Sequence, residues 1–245
     1  MSDVKQDQTV PVSGLGQNFE KPVLPLMAMA TKARVWGDAT PNAIEPNPEQ
    51  LTAEMRATIT RQAQGQCYFC GVRARAGHVH NINHNHQDLR PENLRLVDPL
   101  CHGWQHLGEI DDGQAFIAYL PGLSPQDANH LQRATMIALE TGDEQTKADA
   151  KKILNWMASH REYTEKAWGT HSPKIFAEAM TRLGKVDADV NSLVFQGLSV
   201  IFNPAQFSQV VKGWAQDAYG AAPTSTWAQV HHDVMNAPSL SLIHI

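Results

Sequence analysis

The chain has only three cysteines and no long apolar run among its 245 residues. Three cysteines in a chain of this length do not form the kind of disulfide framework that holds small secreted domains together. No segment approaches the roughly 18 consecutive apolar residues that a membrane-spanning helix needs. Lys and Arg are also few, 20 against 25 Asp and Glu, so the net charge of −5 argues against a whole-protein electrostatic attraction to nucleic acid. These absences predict a soluble, cytoplasmic protein in a reducing compartment.

Composition and periodicity predict an α+β fold in which a small domain with both strands and helices comes before a mostly helical domain. An early strand is expected within 24–36, where apolar residues partly alternate, and a second strand at AFIAYLPGL, residues 115–123. The predicted segments are a flexible N-terminal arm at 1–22, the small α+β domain at 23–123, the helical domain at 124–220 and a C-terminal tail at 221–245.

Capping residues and apolar spacing indicate where the helices lie. A helix is expected after Pro48, and three further pairs place a capping side chain before a proline: Ser124-Pro125, Ser172-Pro173 and Asn203-Pro204. Two apolar stripes at helical spacing are predicted to face the core. They are Leu131, Ala134, Thr135, Ala138 and Leu139 in one segment, and Phe207, Val210, Val211, Trp214 and Ala218 in the other.

All three cysteines lie in residues 67–106, together with six of the twelve histidines. Cys67 and Cys70 form a Cys-x-x-Cys knuckle that Gly71 follows, and Cys101 stands where a helix is expected to begin. Tetrahedral zinc takes four N or S ligands, and thiolate-rich sites of this kind are structural. The pattern therefore predicts a structural zinc ion, with buried thiols that bind no metal as the alternative.

The fourth zinc ligand is ambiguous, because the third residue after Cys101 is Trp104, which cannot bind zinc. We favour His106, because a helix is expected to bring its side chain back to roughly the same side as that of Cys101. His102 is the alternative, and an incomplete site is the third possibility. The predicted metal set is thus Cys67, Cys70, Cys101 and His106.

The order of knuckle, HVHNIN, DLRPENL and Cys resembles the HNH, or ββα-metal, fold of treble-clef nucleases over roughly residues 50–110. In that family, the second residue of a strand pair is the general base that activates water. The matching pair here is His80-Asn81, so that an amide replaces the base, while Asn93 matches the family's loop-orienting asparagine. If the chain is a nuclease, the resemblance implies that His80, His84 and Asn93 are its catalytic residues.

A second resemblance covers residues 24–220 and includes the helical half. RQAQGQCYFCG, HVHNINHNHQDLRPENL, FIAYLPGLSPQDANHLQRATMIAL and SHREYTEKAWGTHSPKIFAEAM together resemble the IcmJ/DotN family of type IVB secretion systems. The family implies a cytoplasmic, zinc-stabilised, HNH-like subunit without a need for cleavage. It implies binding to the C-terminal region of the coupling ATPase, and association with the inner-membrane complex through partners rather than by insertion. The family's second metal half is richer in cysteine than this one.

Three functions are therefore open. The first is a non-catalytic adaptor of a secretion or conjugation coupling complex, the second is an HNH endonuclease, and the third is a zinc module that binds nucleic acid without cutting it. For the adaptor, Trp36, Trp168 and Trp227 are candidate anchors for an apolar partner segment, although each is also suited to packing within its own domain.

Overall fold

The structure is a computed structural model that describes residues 51–74, 77–182, 195–217 and 219–236. The predicted arm at 1–22, the predicted strand within 24–36, Trp36 and the end of the tail lie outside the described residues. The α+β class is confirmed. The helices are α1 Ala53–Gln62, α2 Pro99–Trp104, α3 Pro125–Thr141, α4 Glu144–Ser159, α5 Arg161–Trp168, α6 Pro173–Arg182, α7 Ser208–Asp217 and α8 Trp227–Asn236. The strands are β1 His78–Asn81, β2 Leu94–Val97, β3 Ala115–Tyr119 and β4 Leu198–Phe202.

Helix α1 and the β1–β2 hairpin form a small layer beside the cysteine knuckle. The Thr52 side chain caps α1 by accepting a hydrogen bond from the backbone N–H of Met55 at 3.2 Å. Strands β1 and β2 pair antiparallel, with Val79 opposite Leu96 and His80 opposite Arg95. Since side chains alternate along a strand, Val79 packs with Leu94, Leu96 and the α1 residue Ile59, and the histidines of β1 occupy the other face.

The second sheet joins the two predicted domains. Strand β3 pairs antiparallel with β4, so that Ala115 lies opposite Phe202 and Tyr119 opposite Leu198. The sequence predicted only helices after Ser124, and β4 is therefore a correction to that prediction. All five residues of β4 are buried. A strand buried on both faces reads as a continuous apolar run without alternation, which does not separate it from a buried helix segment.

One apolar core extends across the predicted boundary at residues 123 and 124. It includes Trp104 of α2, Ile117 of β3, Met136 of α3 and Trp214 of α7. The predicted stripe on α7 is confirmed at Val211 and Trp214, with the preceding Phe207 also buried. The parts on either side of the predicted boundary thus share their core.

Helix α3 begins where Ser124 was predicted to cap it, but its buried face differs from the predicted stripe. Thr135 and Ala138 are buried as expected, whereas the other stripe residues Leu131, Ala134 and Leu139 are only partly buried. Asn129, Gln132 and Arg133 are buried instead. A hydrophobicity pattern misses such residues, because burial of polar groups depends on hydrogen-bond partners from distant parts of the chain. Across the described ranges, no helix combines the length and apolar character needed to cross a membrane.

Candidate metal centres

The three cysteines meet as predicted, at the junction of the knuckle and helix α2. Their sulfur atoms lie within 4.8 Å of one another, and all three residues are buried. The knuckle turns through Gly71, whose backbone N–H donates to the Cys67 carbonyl at 2.8 Å with φ at +70°. Cys101 lies in α2, which the Asp98 side chain caps by accepting from the backbone N–H of Leu100 at 3.0 Å. Local turn and cap geometry therefore bring the thiols together.

Helix α3 covers the sulfur atoms with polar side chains. Asn129 donates from Nδ2 to the sulfur of Cys101 at 3.4 Å, and Arg133 donates to the sulfur of Cys70 at 3.7 Å. Arg133 also forms a salt bridge with Asp98 at 2.9 Å, in which both side chains are fully buried. Trp214 Nε1 donates to the other oxygen of Asp98 at 2.9 Å. We define these partners, Asp98, Asn129, Arg133 and Trp214, as the polar shell of the cysteine centre.

The three thiol groups differ in acidity. Hydrogen bonds from the thiols of Cys101 and Cys67, together with the positive charge of Arg133, lower the pKa of Cys70 well below its usual range. Burial raises the pKa of Cys67, and hydrogen bonding to Cys67 and Cys70 raises the pKa of Cys101. Cys70 is therefore the cysteine of the three whose thiolate form is favoured. A metal ion that binds here releases the remaining protons and uses all three sulfurs as ligands.

His106, the favoured fourth ligand, is not placed with the cysteines. It stands five residues after Cys101, which on an α-helix is about 140° round the axis, and α2 ends at Trp104 before reaching it. Its backbone has φ −132° and ψ 43°, so it lies outside the helix. His102, the alternative ligand, lies with His106 instead. Among the described residues, no fourth His, Cys, Asp or Glu offers a ligand atom within 4.8 Å of all three sulfurs.

The residues of the cysteine centre nevertheless fit a thiophilic metal ion such as zinc. Three sulfurs converge, hydrogen bonds from the other two thiols lower the pKa of Cys70, and the polar shell donates hydrogen bonds to two of the sulfurs. Donors of this kind stabilise metal thiolates and orient the ligands. Zinc with three thiolates requires one further ligand, and water is the ordinary fourth ligand where the protein supplies three.

A second candidate metal centre is formed by His80, His102 and His106, and the sequence did not predict it as a set. One ligand nitrogen of each lies within 4.8 Å of the others, and all three residues are buried. His102 and His106 face each other with their Nε2 atoms 3.1 Å apart. The signal in the sequence was the short separation of His102 and His106, because the turn that follows the end of α2 brings two residues so close in the chain together. His80 lies beside His102 and His106 because successive side chains of a strand point to opposite faces, and Val79 occupies the face toward the apolar cluster.

Three more histidines surround this histidine centre. Ring centroids are separated by 5.0 Å between His78 and His102, 5.4 Å between His80 and His84, and 5.6 Å between His86 and His106. The six histidines of residues 67–106 therefore form one cluster around the hairpin and α2. His84, which was predicted as a nuclease residue, lies in the hairpin loop with φ at +60° and is half-buried.

Burial keeps the histidine centre neutral. It lowers the pKa of His80 to about 3, and the charges of His84 and His86 add to that effect. Burial likewise lowers the pKa values of His102 and His106 well below the usual range. The Nδ1 atoms of these three residues are buried and lack a hydrogen-bond partner. Neutral imidazoles are the form that binds zinc and other transition metals, so the donor chemistry of this group fits such an ion.

Asn81 and Asn93 fix the loop between β1 and β2. Asn81 and Asn93 each donate from Nδ2 to the Asp88 carbonyl, at 2.9 and 2.8 Å, and Asn93 Oδ1 accepts from the backbone N–H of Asn83 at 2.9 Å. The side-chain amides of Asn81 and Asn93 thus hold the same loop.

The fold and the sites define this chain as an α+β protein with two candidate metal-binding groups. No protein-family model matches the chain, and no curated protein matches it.

Proposed function

We propose that the chain is a zinc-stabilised adaptor subunit, without catalytic activity, of a type IVB secretion or conjugation coupling complex. In this role it binds the C-terminal region of the coupling ATPase and helps to recruit or transfer substrate. It acts in the cytoplasm and reaches the inner membrane through its partners. The proposal rests on the resemblance of residues 24–220 to the IcmJ/DotN family, together with one structural observation at Asn81.

Asn81 supports the absence of HNH-type catalysis. The order β1, β2, α2 is consistent with an HNH-like domain, and Asn81, the last residue of β1, is the residue that the resemblance matches to the general base. Its side-chain amide donates to the Asp88 carbonyl and does not accept a proton at neutral pH. A missing general base typically lowers the rate by about two to four orders of magnitude. The hairpin therefore has a structural use in place of a catalytic one.

The helical half offers apolar side chains to a partner. Ile153 and Trp156 lie three residues apart on the exposed side of α4, and Tyr163 on α5 is 54% exposed. Trp168, a predicted anchor, is 42% exposed, whereas Trp227 is half-buried and donates from Nε1 to the Ala222 carbonyl. Exposed aromatic residues of this size are enriched among those that contribute most to protein interfaces. We assign the coupling ATPase segment to the exposed side of these two helices, which we call the α4–α5 surface, with Ile153, Trp156 and Tyr163 as its residues.

The Trp156→Ala, Tyr163→Ala double variant is expected to weaken capture of the coupling ATPase C-terminal region. Truncating an interface residue of this kind costs about 2 kcal/mol or more, which is roughly a thirtyfold loss of affinity. The measurement is a pull-down followed by titration calorimetry with the purified C-terminal region. Lys152→Ala is the control, because Lys152 is an exposed α4 residue paired only with Asp149 in a surface salt bridge. Failure of the unsubstituted chain to bind the region would refute the adaptor function. Equal binding by the double variant would refute only the assignment of the surface.

A metal-dependent endonuclease is the second candidate function, and the histidine centre is the observation that favours it. The nuclease resemblance implies His80 and His84 as catalytic residues, and their ring centroids lie 5.4 Å apart. Under the adaptor proposal, supercoiled plasmid remains intact when incubated with the chain and Mg²⁺ or Mn²⁺. Nicking that disappears in both His80→Ala and His84→Ala would establish the nuclease instead. Salt-dependent DNA binding without nicking would indicate the third function, a nucleic-acid-binding zinc module.

A further inference from the structure

We infer that the histidine centre is open to an external ligand, and that it binds a small neutral nitrogen donor with an aromatic substituent. The observation is a surface pocket of about 250 Å³ whose lining includes His78, His102 and His106. The inference depends on a metal ion held by His80, His102 and His106, and it is independent of whether the chain serves as an adaptor.

The two metal centres differ in access. In the cysteine centre, Asn129 and Arg133 of α3 lie against the sulfur atoms. In the histidine centre, two of the three proposed ligands form part of the wall of an open pocket. Metal sites with three protein ligands keep a position for water or another ligand, which is the arrangement of sites that bind external molecules. Because His102 and His106 line the pocket, an external ligand in the pocket would lie beside two of the three proposed metal ligands.

The lining of the pocket defines the class of ligand. Phe202 and Phe207 form an apolar wall, and Val210 adds to it from α7. Glu109 is the acidic residue of the lining. A carboxylate disfavours an anionic ligand but accepts a hydrogen bond from an N–H group. An azole has both required features, since one nitrogen binds the metal and the other is an N–H donor. An aromatic substituent on the azole matches the phenylalanine wall.

The test uses the chain loaded with Co²⁺, whose visible absorption bands report its ligands, and 4-phenylimidazole as the probe. We expect a saturable shift of the cobalt bands with one equivalent of probe per chain. The affinity is expected to exceed that of imidazole by at least about tenfold, since burying the phenyl group removes apolar area from water. His80→Ala is expected to lose one Co²⁺ per chain together with the shift, while the sulfur-to-cobalt absorption of the cysteine centre remains.

Gln206→Trp and Gln209→Trp form the matched pair of variants. Both positions are exposed and follow β4, but only Gln206 lines the pocket. Gln206→Trp is expected to retain Co²⁺ at both centres and to weaken binding of 4-phenylimidazole by at least about tenfold, whereas Gln209→Trp binds it like the unsubstituted chain. Three results would overturn the inference: a chain without Co²⁺ at the histidine centre, no shift with 4-phenylimidazole, or equal binding by the two tryptophan variants.

Discussion

Replacing Cys70 by serine is expected to release one zinc ion per chain and to abolish stable folding. Cys70 is the cysteine whose thiolate is stabilised most, by thiol hydrogen bonds and by Arg133. A structural zinc ion bound by thiolates contributes on the order of 10 kcal/mol to folding. That amount is comparable with the whole stability of an ordinary domain, about 5 to 15 kcal/mol. The measurements are the zinc-to-protein ratio by mass spectrometry and the thermal unfolding midpoint.

The matched control for Cys70→Ser is His80→Ala, which removes a ligand of the histidine centre and leaves all three thiols. It is expected to lose the ion at that centre while retaining zinc at the cysteine centre. The two centres are neighbours on α2, because Cys101 and His102 are consecutive and project to different sides. Unchanged zinc content and an unchanged midpoint in Cys70→Ser would show that the cysteines are buried thiols without a structural metal.

Features fixed by local chemistry were predictable from the sequence. Cys67 and Cys70 come together because the turn between them closes on Gly71 with a local hydrogen bond, and it needs no contact with a distant part of the chain. Helix α3 begins after Ser124 because the serine side chain accepts a hydrogen bond from a free backbone N–H of the first turn. Proline fits the first helical position because it has no N–H group that would need a partner. Asn93 takes its loop-orienting position because its partners lie within ten residues of it.

Features that depend on distant contacts were missed. Strand β4 forms by pairing with β3, about eighty residues earlier, and its own sequence has no alternation to indicate a strand. The position of His106 depends on where α2 ends, and helix ends are the least predictable part of a helix. The histidine centre combines a strand residue with two residues around a short helix, so its ligands have no fixed spacing in the sequence.

Arg133 is the clearest case of a residue whose importance the sequence conceals. It lies within a helix between Gln132 and Ala134, and a periodicity argument treats it as a solvent-facing position. In the structure it is fully buried, salt-bridged to Asp98, and positioned over the ring of Trp214 at 5.3 Å. It connects α3 to the cap of α2 and to α7. A single cation therefore links the elements around the cysteine centre.

Arg133→Met is expected to destabilise the fold by about 3 to 5 kcal/mol, because removal of one partner leaves the buried Asp98 carboxylate uncompensated. The measurement is urea unfolding followed by the fluorescence of tryptophan, with zinc present throughout. Lys152→Met is the matched control, since it breaks an exposed salt bridge with Asp149 and is expected to cost about 1 kcal/mol or less. A loss in Arg133→Met no larger than that of the control would contradict the predicted dependence of the fold on this ion pair.

The double variant Asp98→Asn, Arg133→Met separates the role of charge from the role of packing. The asparagine removes the buried negative charge and keeps an oxygen that can accept from the backbone N–H of Leu100 or from Trp214. It is therefore expected to recover part of the stability that Arg133→Met loses. Zinc affinity is expected to stay about 10- to 100-fold lower in both variants, because neither has the Arg133 donor to the sulfur of Cys70. Recovery of stability without recovery of zinc affinity would assign the salt bridge to folding and the arginine–sulfur contact to the metal centre.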